Sequence, residues 1–483
     1  MESNVPTFRD PSGILLVLGD RIIRILNRSG FQSLNSFLST SAARAFIQSG
    51  RLVDTRVLGA SEVQALSADE RFAQSFSDDA EVVEHEMVPF QSFPYEWPPE
   101  MLHEAARLTI ELAQELLDSD FGLKDATPYN VLFRGPKPVF IDLLSFENRL
   151  PGDSVWLPYA QFIRTFLLPL LANMYFSLPL DQVFLARRDG LEPEDLYRLC
   201  GPLRRLLPPF LNLVSIPVWL SGRASKDSDT VYQRKLLPDP ERARFILGML
   251  LRSAQRSLRR LEPKPRKASV WSDYMTTNQS YTRENFEAKQ AFVQDIADEY
   301  RPRTVLDVGC NTGHFSAIAA RSGARVMAID YDPVVVGKTW RRAHSEGLDI
   351  LPLVVNLSRP SPATGWRNGE QPSFLSRARG GFDAVFMLAV VHHMLVSERI
   401  PLPEIIGLAG ELTTDMLVIE FVAPDDPMFR RLTRGRDELF EYLTKDLFEE
   451  ECRRHFDIVK SLSLGNDTRH IYLLRKRQTG RRP

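Results

Sequence analysis

A glycine-rich turn between an apolar strand and a helix is the feature that most constrains the fold of this chain. The turn is Asp307-Val-Gly-Cys-Asn-Thr-Gly313; it follows the apolar run Val305-Leu306 and precedes a helical pattern from Phe315 to Ser322. Glycines let the backbone turn tightly and approach a ligand closely. In open α/β sheets, ligands bind outside the carboxyl ends of the strands. The segment therefore predicts a strand, a turn and a helix with a ligand site at the turn.

The pattern around this turn predicts an α/β domain. From residue 304 onward, short apolar runs alternate with helical stretches, and this alternation is typical of a parallel sheet with helices on both faces. We expect a doubly wound, Rossmann-like sheet. The predicted strands are 305–307, 326–330, 351–355, 384–388 and 416–420, followed by a hairpin-like pair over 456–461 and 470–474.

An acidic residue at the end of the second predicted strand indicates the type of ligand. Asp330 lies 17 residues after Gly313, where a carboxylate can accept hydrogen bonds from both hydroxyls of a ribose. The turn lacks the lysine of a phosphate-cradling loop, and it does not match the dinucleotide pattern Gly-x-Gly-x-x-Gly. The pattern therefore predicts a ligand that contains adenosine.

These residues resemble the class I S-adenosylmethionine-dependent methyltransferases. The Asp-x-Gly-x-Gly/Asn-x-Gly turn of that family matches Asp307, Gly309, Asn311 and Gly313, its second-strand acid matches Asp330, and its adenine-side residue matches Asn356. The resemblance covers about residues 271 to 475. It implies S-adenosyl-L-methionine as cofactor, with Leu388 as a further contact, and it leaves the methyl acceptor open.

Candidate catalytic side chains follow the fourth and fifth predicted strands. The segment that ends in His392 and His393 is similar to one common in methyltransferases of small molecules and lipids, and it would place both rings at the carboxyl end of the fourth strand, near the transferred methyl group. A neutral imidazole there could take a proton from an attacking hydroxyl or amine. The alternative is a packed, hydrogen-bonded histidine that shapes the pocket. Glu420, which ends the fifth predicted strand, is a second candidate base.

The first half of the chain carries a different set of polar residues. Asp125 and Asn130 form an Asp-x-x-x-x-Asn spacing, and Asp142 ends an apolar run twelve residues later. In phosphoryl transfer the first aspartate can orient a hydroxyl nucleophile, while the asparagine and the second aspartate hold magnesium. The outline resembles the carboxy-terminal lobe of the protein-kinase and aminoglycoside-phosphotransferase superfamily, which implies an α+β kinase-like domain.

Several parts of that superfamily's site are missing. No histidine stands two residues before Asp125, Leu-Leu follows Asp142 in place of Phe-Gly, and residues 1–80 contain no recognisable glycine-rich loop or strand lysine. Because phosphoryl transfer relies on positioned cations, we predict that Asp125, Asn130 and Asp142 form a vestigial site. The whole chain is similar to bacterial two-domain methyltransferases, some of them related to nodulation proteins.

A basic, proline-containing stretch marks the predicted domain boundary. We expect a kinase-like domain over 1–260, a linker over 261–270 and a methyltransferase domain over 271–483. In the first half we also predict a hairpin over 14–26, a loop over 93–97, a helix over 100–117 and mostly helical structure from 150 to 257.

Composition excludes several other classes of protein. The net charge of -2 offers no global attraction to nucleic acid, so no nucleic-acid partner is expected. Three widely spaced cysteines indicate neither a disulfide framework nor a metal site. The most apolar stretch, over 162–180, contains Arg164 and Pro169 and predicts a buried helix rather than a membrane span. Without a signal-peptide pattern, a cytoplasmic location is expected.

The leading hypothesis is a methyltransferase that acts on a small-molecule, saccharide or peptide acceptor, with the kinase-like half as a scaffold that selects the acceptor. One alternative is a bifunctional methyltransferase and ATP-dependent phosphotransferase. A second alternative is a regulator that binds nucleotides in both halves without turnover.

Overall fold

The computed structural model describes residues 9–119, 121–221, 236–264, 283–464 and 467–477. The chain divides into two compact units. The first comprises Met1–Lys264 together with Thr364–Gln371, and the second comprises Pro265–Ala363 and Pro372–Pro483. Within the predicted linker, Leu261 is fully buried, while residues 265–270 lie outside the described part of the chain.

A four-stranded antiparallel sheet begins the first unit, in the order β1-β2-β4-β3. Its strands are β1 (Gly13–Leu18), β2 (Arg21–Leu26), β3 (Thr55–Val57) and β4 (Glu81–His85). The predicted hairpin is confirmed: β1 and β2 pair along their whole length. Gly19 lies in the turn between them at a φ of 64°, in the left-handed region that glycine adopts without steric cost.

The rest of the first unit is mostly helical, with two short antiparallel strand pairs. Strands β5 (Phe121–Leu123) and β8 (Phe146–Asn148) form one pair, and β6 (Val131–Arg134) and β7 (Lys137–Phe140) form the other. The helices are α1 (Arg28–Leu38), α2 (Ser41–Gln48), α3 (Ala60–Leu66), α4 (Glu70–Ser75), α5 (Pro99–Glu115), α6 (Tyr159–Phe162), α7 (Leu168–Phe176), α8 (Leu180–Ala186), α9 (Pro193–Leu199), α10 (Pro202–Arg205), α11 (Ile216–Ser221) and α12 (Pro240–Arg260).

Two predictions for this unit need small corrections. The segment 93–97 contains a 3-10 turn over Pro94–Glu96, because proline at the first position favours a helical turn. The helix predicted over 100–117 is α-helical only to Glu115, and a 3-10 turn over Leu116–Ser119 follows it. The apolar stretch over 162–180 is a buried helix, as predicted. Among the described residues, no helix is both long enough and apolar enough to cross a membrane.

A seven-stranded sheet organises the second unit, in the order β11-β10-β9-β12-β13-β15-β14. Its strands are β9 (Thr304–Val308), β10 (Arg325–Asp330), β11 (Ile350–Val354), β12 (Phe382–Met387), β13 (Thr413–Val422), β14 (Phe456–Leu464) and β15 (Arg469–Lys476). The first five are parallel, and β15 runs antiparallel between β13 and β14. The predicted Rossmann-like sheet is confirmed.

The helices of the second unit connect these strands. They are α13 (Arg283–Tyr300), α14 (His314–Arg321), α15 (Pro333–Glu346), α16 (Phe374–Ala378), α17 (Val391–Val396), α18 (Leu402–Leu412), α19 (Pro427–Thr433) and α20 (Lys445–Arg453). Successive residues of the central strands are buried, so both faces of the sheet are covered: Val305 and Leu306 on β9 are both fully buried, as are Ala384 and Val385 on β12. Strand order reverses between β9 and β12, and ligands bind at such a switch point.

Close packing fixes the glycine turn after β9. Gly313 begins α14 at a φ of 73°, and a Cβ added there would lie 2.6 Å from Thr339 Cγ2 on α15. The Thr339 hydroxyl in turn donates to the Asn311 carbonyl oxygen at 2.9 Å. Gly313 therefore serves both the backbone conformation of the turn and the approach of α15.

We predict that Gly313→Ala lowers the free energy of unfolding by about 2–4 kcal/mol, since it adds a steric clash to an unfavourable backbone conformation. Gly347→Ala is the matched control. Gly347 has a φ of 68° and no atom within 4 Å of the added Cβ, so this substitution costs only about 1 kcal/mol. Urea denaturation of both variants tests the difference, and equal losses would contradict the packing argument.

Candidate active site

The glycine turn and the end of β10 are held together by backbone hydrogen bonds. The N–H groups of Gly309 and Cys310 both donate to the Ile329 carbonyl oxygen, at 2.8 and 3.0 Å. The Asn311 N–H donates to Asp330 Oδ2 at 3.0 Å. The turn and the acid that the sequence singles out therefore lie side by side at the carboxyl ends of β9 and β10.

Two carboxyl groups line this edge, of which Asp330 is half-buried and Asp307 is buried. Burial raises the pKa of Asp330 to about 6, although the N–H groups of Asp332 and Asn311 oppose the shift. Asp307 is buried on β9, where the Ser316 hydroxyl donates to its Oδ2 at 2.5 Å, and burial raises its pKa to about 6 as well. A carboxylate in such surroundings is stabilised by any further donor that reaches it.

The Asp330 carboxylate retains capacity for a ligand. Its two oxygens each accept a bond from a backbone N–H, those of Asn311 and Asp332, and a carboxylate offers about four lone-pair positions. Two hydroxyls of a ribose are donors that fit this acceptor. The donor and acceptor chemistry of the edge therefore fits an adenosine group.

The other predicted cofactor contacts lie at neighbouring strand ends. Asn356 follows β11, where its Oδ1 accepts from the Ser358 N–H at 2.9 Å. The preceding residue, Val355, donates its N–H to the Asp330 carbonyl oxygen at 2.9 Å. Leu388 is buried directly after β12. Their roles toward the cofactor stay predictions.

The prediction that His392 and His393 lie at the end of a strand is wrong, because both lie in the first turn of α17. Strand β12 ends at Met387, and Ala389, at a φ of 57°, turns the chain into the helix. His392 is 1% exposed, and neither of its ring nitrogens has a hydrogen-bond partner among the described residues. The two imidazole centroids are 4.3 Å apart.

Both histidines are held in the neutral form. Burial, His393 and the Arg469 guanidinium lower the pKa of His392 well below its usual value. Burial and Arg469 lower the pKa of His393 to about 4. At neutral pH, each ring can therefore accept a hydrogen bond at one nitrogen and donate at the other.

The prediction that Glu420 ends its strand is wrong, because β13 continues to Val422. Its fully buried carboxylate accepts from Lys289 Nζ at 2.5 Å and from Arg469 Nη1 at 3.3 Å. Arg469 also donates to Asp426, from Nε at 2.8 Å. Protonation of Glu420 would weaken both of its ion pairs, so the arrangement favours a structural role over that of a base.

Sequence reasoning missed Lys289 and Arg469. Lys289 precedes β9 on α13, on the same helical face as the buried Val293 and Ile296. A lysine on an otherwise apolar helical stripe is a signal that a buried carboxylate is near, since buried charges are paired. Arg469 starts β15 and carries no comparable local signal.

We predict that Arg469→Met lowers the free energy of unfolding by about 3–5 kcal/mol, because it leaves the buried Asp426 carboxylate without its cation and Glu420 with Lys289 alone. Arg475→Met on the same strand is the control. Arg475 pairs with Asp415 at the surface, where an ion pair contributes less than about 1 kcal/mol. Chemical denaturation measures both losses, and similar values would refute the importance of the buried cluster.

The three polar residues singled out in the first unit are also brought together. Asn130 Nδ2 donates to the Ser145 hydroxyl at 3.0 Å, which donates to Asp142 Oδ2 at 2.7 Å. Burial and the nearby Asp142 raise the pKa of Asp125. Within the ranges that the structure describes, no group of three or more His, Cys, Asp or Glu side chains is arranged to hold a metal ion.

Comparison with known proteins places these sites in context. A family described as "Methyltransferase domain" matches residues 281–465. The nodulation protein NoeA of Rhizobium meliloti (strain 1021) is 30% identical over 472 residues, which are 96% of this chain and 94% of that protein.

Two solved structures are similar at low scores. N-methyltransferase NodS from Bradyrhizobium japonicum WM9, in complex with S-adenosyl-L-homocysteine, has a TM-score of 0.32 at 13% identity, covering 44% of this chain and 94% of that chain. The bifunctional kinase-methyltransferase WbdD has a TM-score of 0.28 at 16% identity, covering 44% of each chain.

The matched family and the polar edge of the sheet agree on the chemistry of the second unit. The match over 281–465 spans β9 to β14, including the glycine turn and Asp330. The chain is an S-adenosylmethionine-dependent methyltransferase, and S-adenosyl-L-methionine is its cofactor. The methyl acceptor is a separate question.

Proposed function

This chain belongs to the family of the nodulation protein NoeA, and we propose that it methylates a hydroxyl or amine of a small molecule, a saccharide or a peptide beside His392. The observation that carries the proposal is the burial of His392, whose ring nitrogens have no hydrogen-bond partner in the described part of the chain. Buried polar groups are normally hydrogen-bonded. An acceptor that presents an O–H or N–H group would satisfy this imidazole.

The surroundings of His392 favour orientation of the acceptor. When bound, S-adenosyl-L-methionine supplies an activated methyl group on sulfur. A neutral imidazole accepts a hydrogen bond from the attacking group and so aligns its lone pair for in-line attack. The guanidinium of Arg469 and the ammonium of Lys289 disfavour a second positive charge on the ring. His392 would therefore position the nucleophile and stay neutral, and the proton that the methylated oxygen or nitrogen loses would pass to solvent, whereas Glu420 would hold the two cations in place.

The proposed cofactor contacts follow the strand ends. Asp330 would accept bonds from the ribose, the turn from Asp307 to Gly313 would face the remainder of the cofactor, and Asn356 would bind the adenine. Leu388 would supply an apolar contact. The support for these roles is that the turn, Asp330 and Val355 are joined by hydrogen bonds at one edge of the sheet.

For the first unit we propose a kinase-like fold that selects the acceptor without phosphoryl transfer. A bifunctional enzyme is the alternative, and the contact of Asn130 with Asp142 through Ser145 is the observation in its favour. Titration with S-adenosyl-L-methionine and with ATP, each by calorimetry, shows which ligands bind, and assays of methyl and phosphoryl transfer separate a scaffold, a bifunctional enzyme and a regulator without turnover.

We predict that Asp330→Asn weakens binding of S-adenosyl-L-methionine at least tenfold, because hydrogen bonds to an ionised acceptor are lost. The stability of the same variant should fall less as the pH rises. The pKa of this carboxyl is about 6 in the folded protein and 3.8 in an ordinary setting, so its ionisation opposes folding as the pH rises. In the wild type this loss of stability is small near pH 4 and reaches on the order of 2 kcal/mol above pH 6, and the variant should not show it.

Calorimetry and urea denaturation at several pH values measure the two effects. Asp349→Asn is the matched control. Asp349 is exposed and pairs with Arg325 at the surface, so this substitution removes the same charge without touching the turn. Unchanged cofactor affinity in Asp330→Asn would refute the ribose contact. A variant that loses stability with rising pH as steeply as the wild type would contradict the argument from the pKa.

The acceptor class is tested by transfer of a labelled methyl group. The protein is incubated with methyl-labelled S-adenosyl-L-methionine and separate panels of small metabolites, oligosaccharides and peptides, with Asp330→Asn as the blank. We expect label in one panel, and we expect His392→Phe to lower the rate with the cofactor affinity unchanged, because the ring no longer orients the acceptor. Equal rates for His392→Phe and the wild type would refute the role of His392.

A further inference from the structure

A buried arginine lies beside the aspartate that a phosphotransferase would use to hold magnesium. Arg24 lies on β2 and is 8% exposed. Its Nη1 donates to Asp142 Oδ1 at 3.2 Å, across 118 residues of sequence. This ion pair lies within the first unit and is separate from the methyltransferase site.

The second oxygen of Asp142 is engaged as well. The fully buried Ser145 hydroxyl donates to Asp142 Oδ2, and the Asn130 amide donates to Ser145. Asn130 and Asp142 are the two residues that would ligate magnesium in the kinase-like superfamily. In this chain both carboxylate oxygens of Asp142 accept from protein donors, and its charge is balanced by a guanidinium.

His85 adds no second positive charge beside Arg24. His85 lies on β4, and its Nδ1 is 2.8 Å from the Thr55 hydroxyl. Burial and the Arg24 guanidinium lower the pKa of His85 to about 3, so its ring is neutral at physiological pH. Of these three side chains, Arg24 alone is charged and faces Asp142.

We propose that the Arg24 guanidinium takes the place of a divalent cation beside Asp142, so that the first unit holds no magnesium. The proposal rests on the kinase-like interpretation given above. Magnesium is bound through one or two carboxylates together with ligand phosphates. A guanidinium supplies a fixed positive charge and planar donors that match a carboxylate, and it repels a metal ion that approaches the same oxygens. The sequence lacks a recognisable strand lysine, and Arg24 provides a cation from a strand of the same sheet.

The test is binding of Mn²⁺ to the full-length protein, followed by electron paramagnetic resonance. We expect no saturable site tighter than about 1 mM in the wild type, with or without a non-hydrolysable ATP analogue. Arg24→Met should create a site that binds Mn²⁺ at least tenfold more tightly than the wild type does, because it leaves Asp142 without its cation. Adding Asp142→Asn to Arg24→Met should abolish that site.

Arg21→Met is the matched control. Arg21 lies on the same strand and pairs with Glu84, so its loss removes an equal charge away from Asp142 and should create no Mn²⁺ site. A saturable wild-type site that Asp142→Asn removes would overturn the proposal, as would a folded Arg24→Met protein without gain of affinity. If Arg24→Met does not fold, the wild-type and Asp142→Asn measurements decide alone. Calorimetry with S-adenosyl-L-methionine on the same samples reports separately on the methyltransferase site.

Discussion

The hydrogen bond from the Asn311 N–H to the Asp330 carboxylate is the interaction on which the methyltransferase site depends. It joins the turn after β9 to the end of β10, and the packing of α15 against Gly313 fixes the same turn from the other side. Burial of Asp330 raises its pKa, which means that the free protein holds a carboxyl group in surroundings that favour its neutral form. Binding of hydroxyl donors relieves that cost, so part of the cofactor's affinity is prepared by the fold.

The second unit also contains a buried cluster of charged side chains that, unlike Asp330, needs no ligand. Lys289, Glu420, Arg469 and Asp426 carry two positive and two negative charges and satisfy one another without a ligand. Their balance lets four charged groups stay in the interior, where an unpaired charge would be strongly unfavourable. The two cations also disfavour protonation of His392. A structural cluster thereby influences the chemistry available to a neighbouring side chain that is free to bind a ligand.

Local patterns predicted most of the fold, and long-range charge pairing explains what they missed. The strands and the hairpin over 14–26 follow from alternation and turn residues, which a short window of sequence contains. The end of β13 was misplaced because a glutamate suggests a strand end, whereas Glu420 is compensated by Lys289 and Arg469, 131 and 49 residues away. Arg24 was missed for the same reason, because its partner Asp142 follows β7 and lies 118 residues away in the sequence. The start of α17 depends on the left-handed backbone of Ala389. Alanine rarely adopts this conformation, so the sequence does not predict the turn there.

The position of β15 has a consequence for how the chain is made. Arg469 belongs to the strand that enters the sheet between β13 and β14, and it is the cation that Asp426 and one oxygen of Glu420 depend on. The ribosome therefore synthesises β9 to β14 before this cation exists. Until then the nascent domain has an open β13 edge and an unbalanced interior carboxylate, so the sheet and its buried charge cluster form only after β15 has been synthesised.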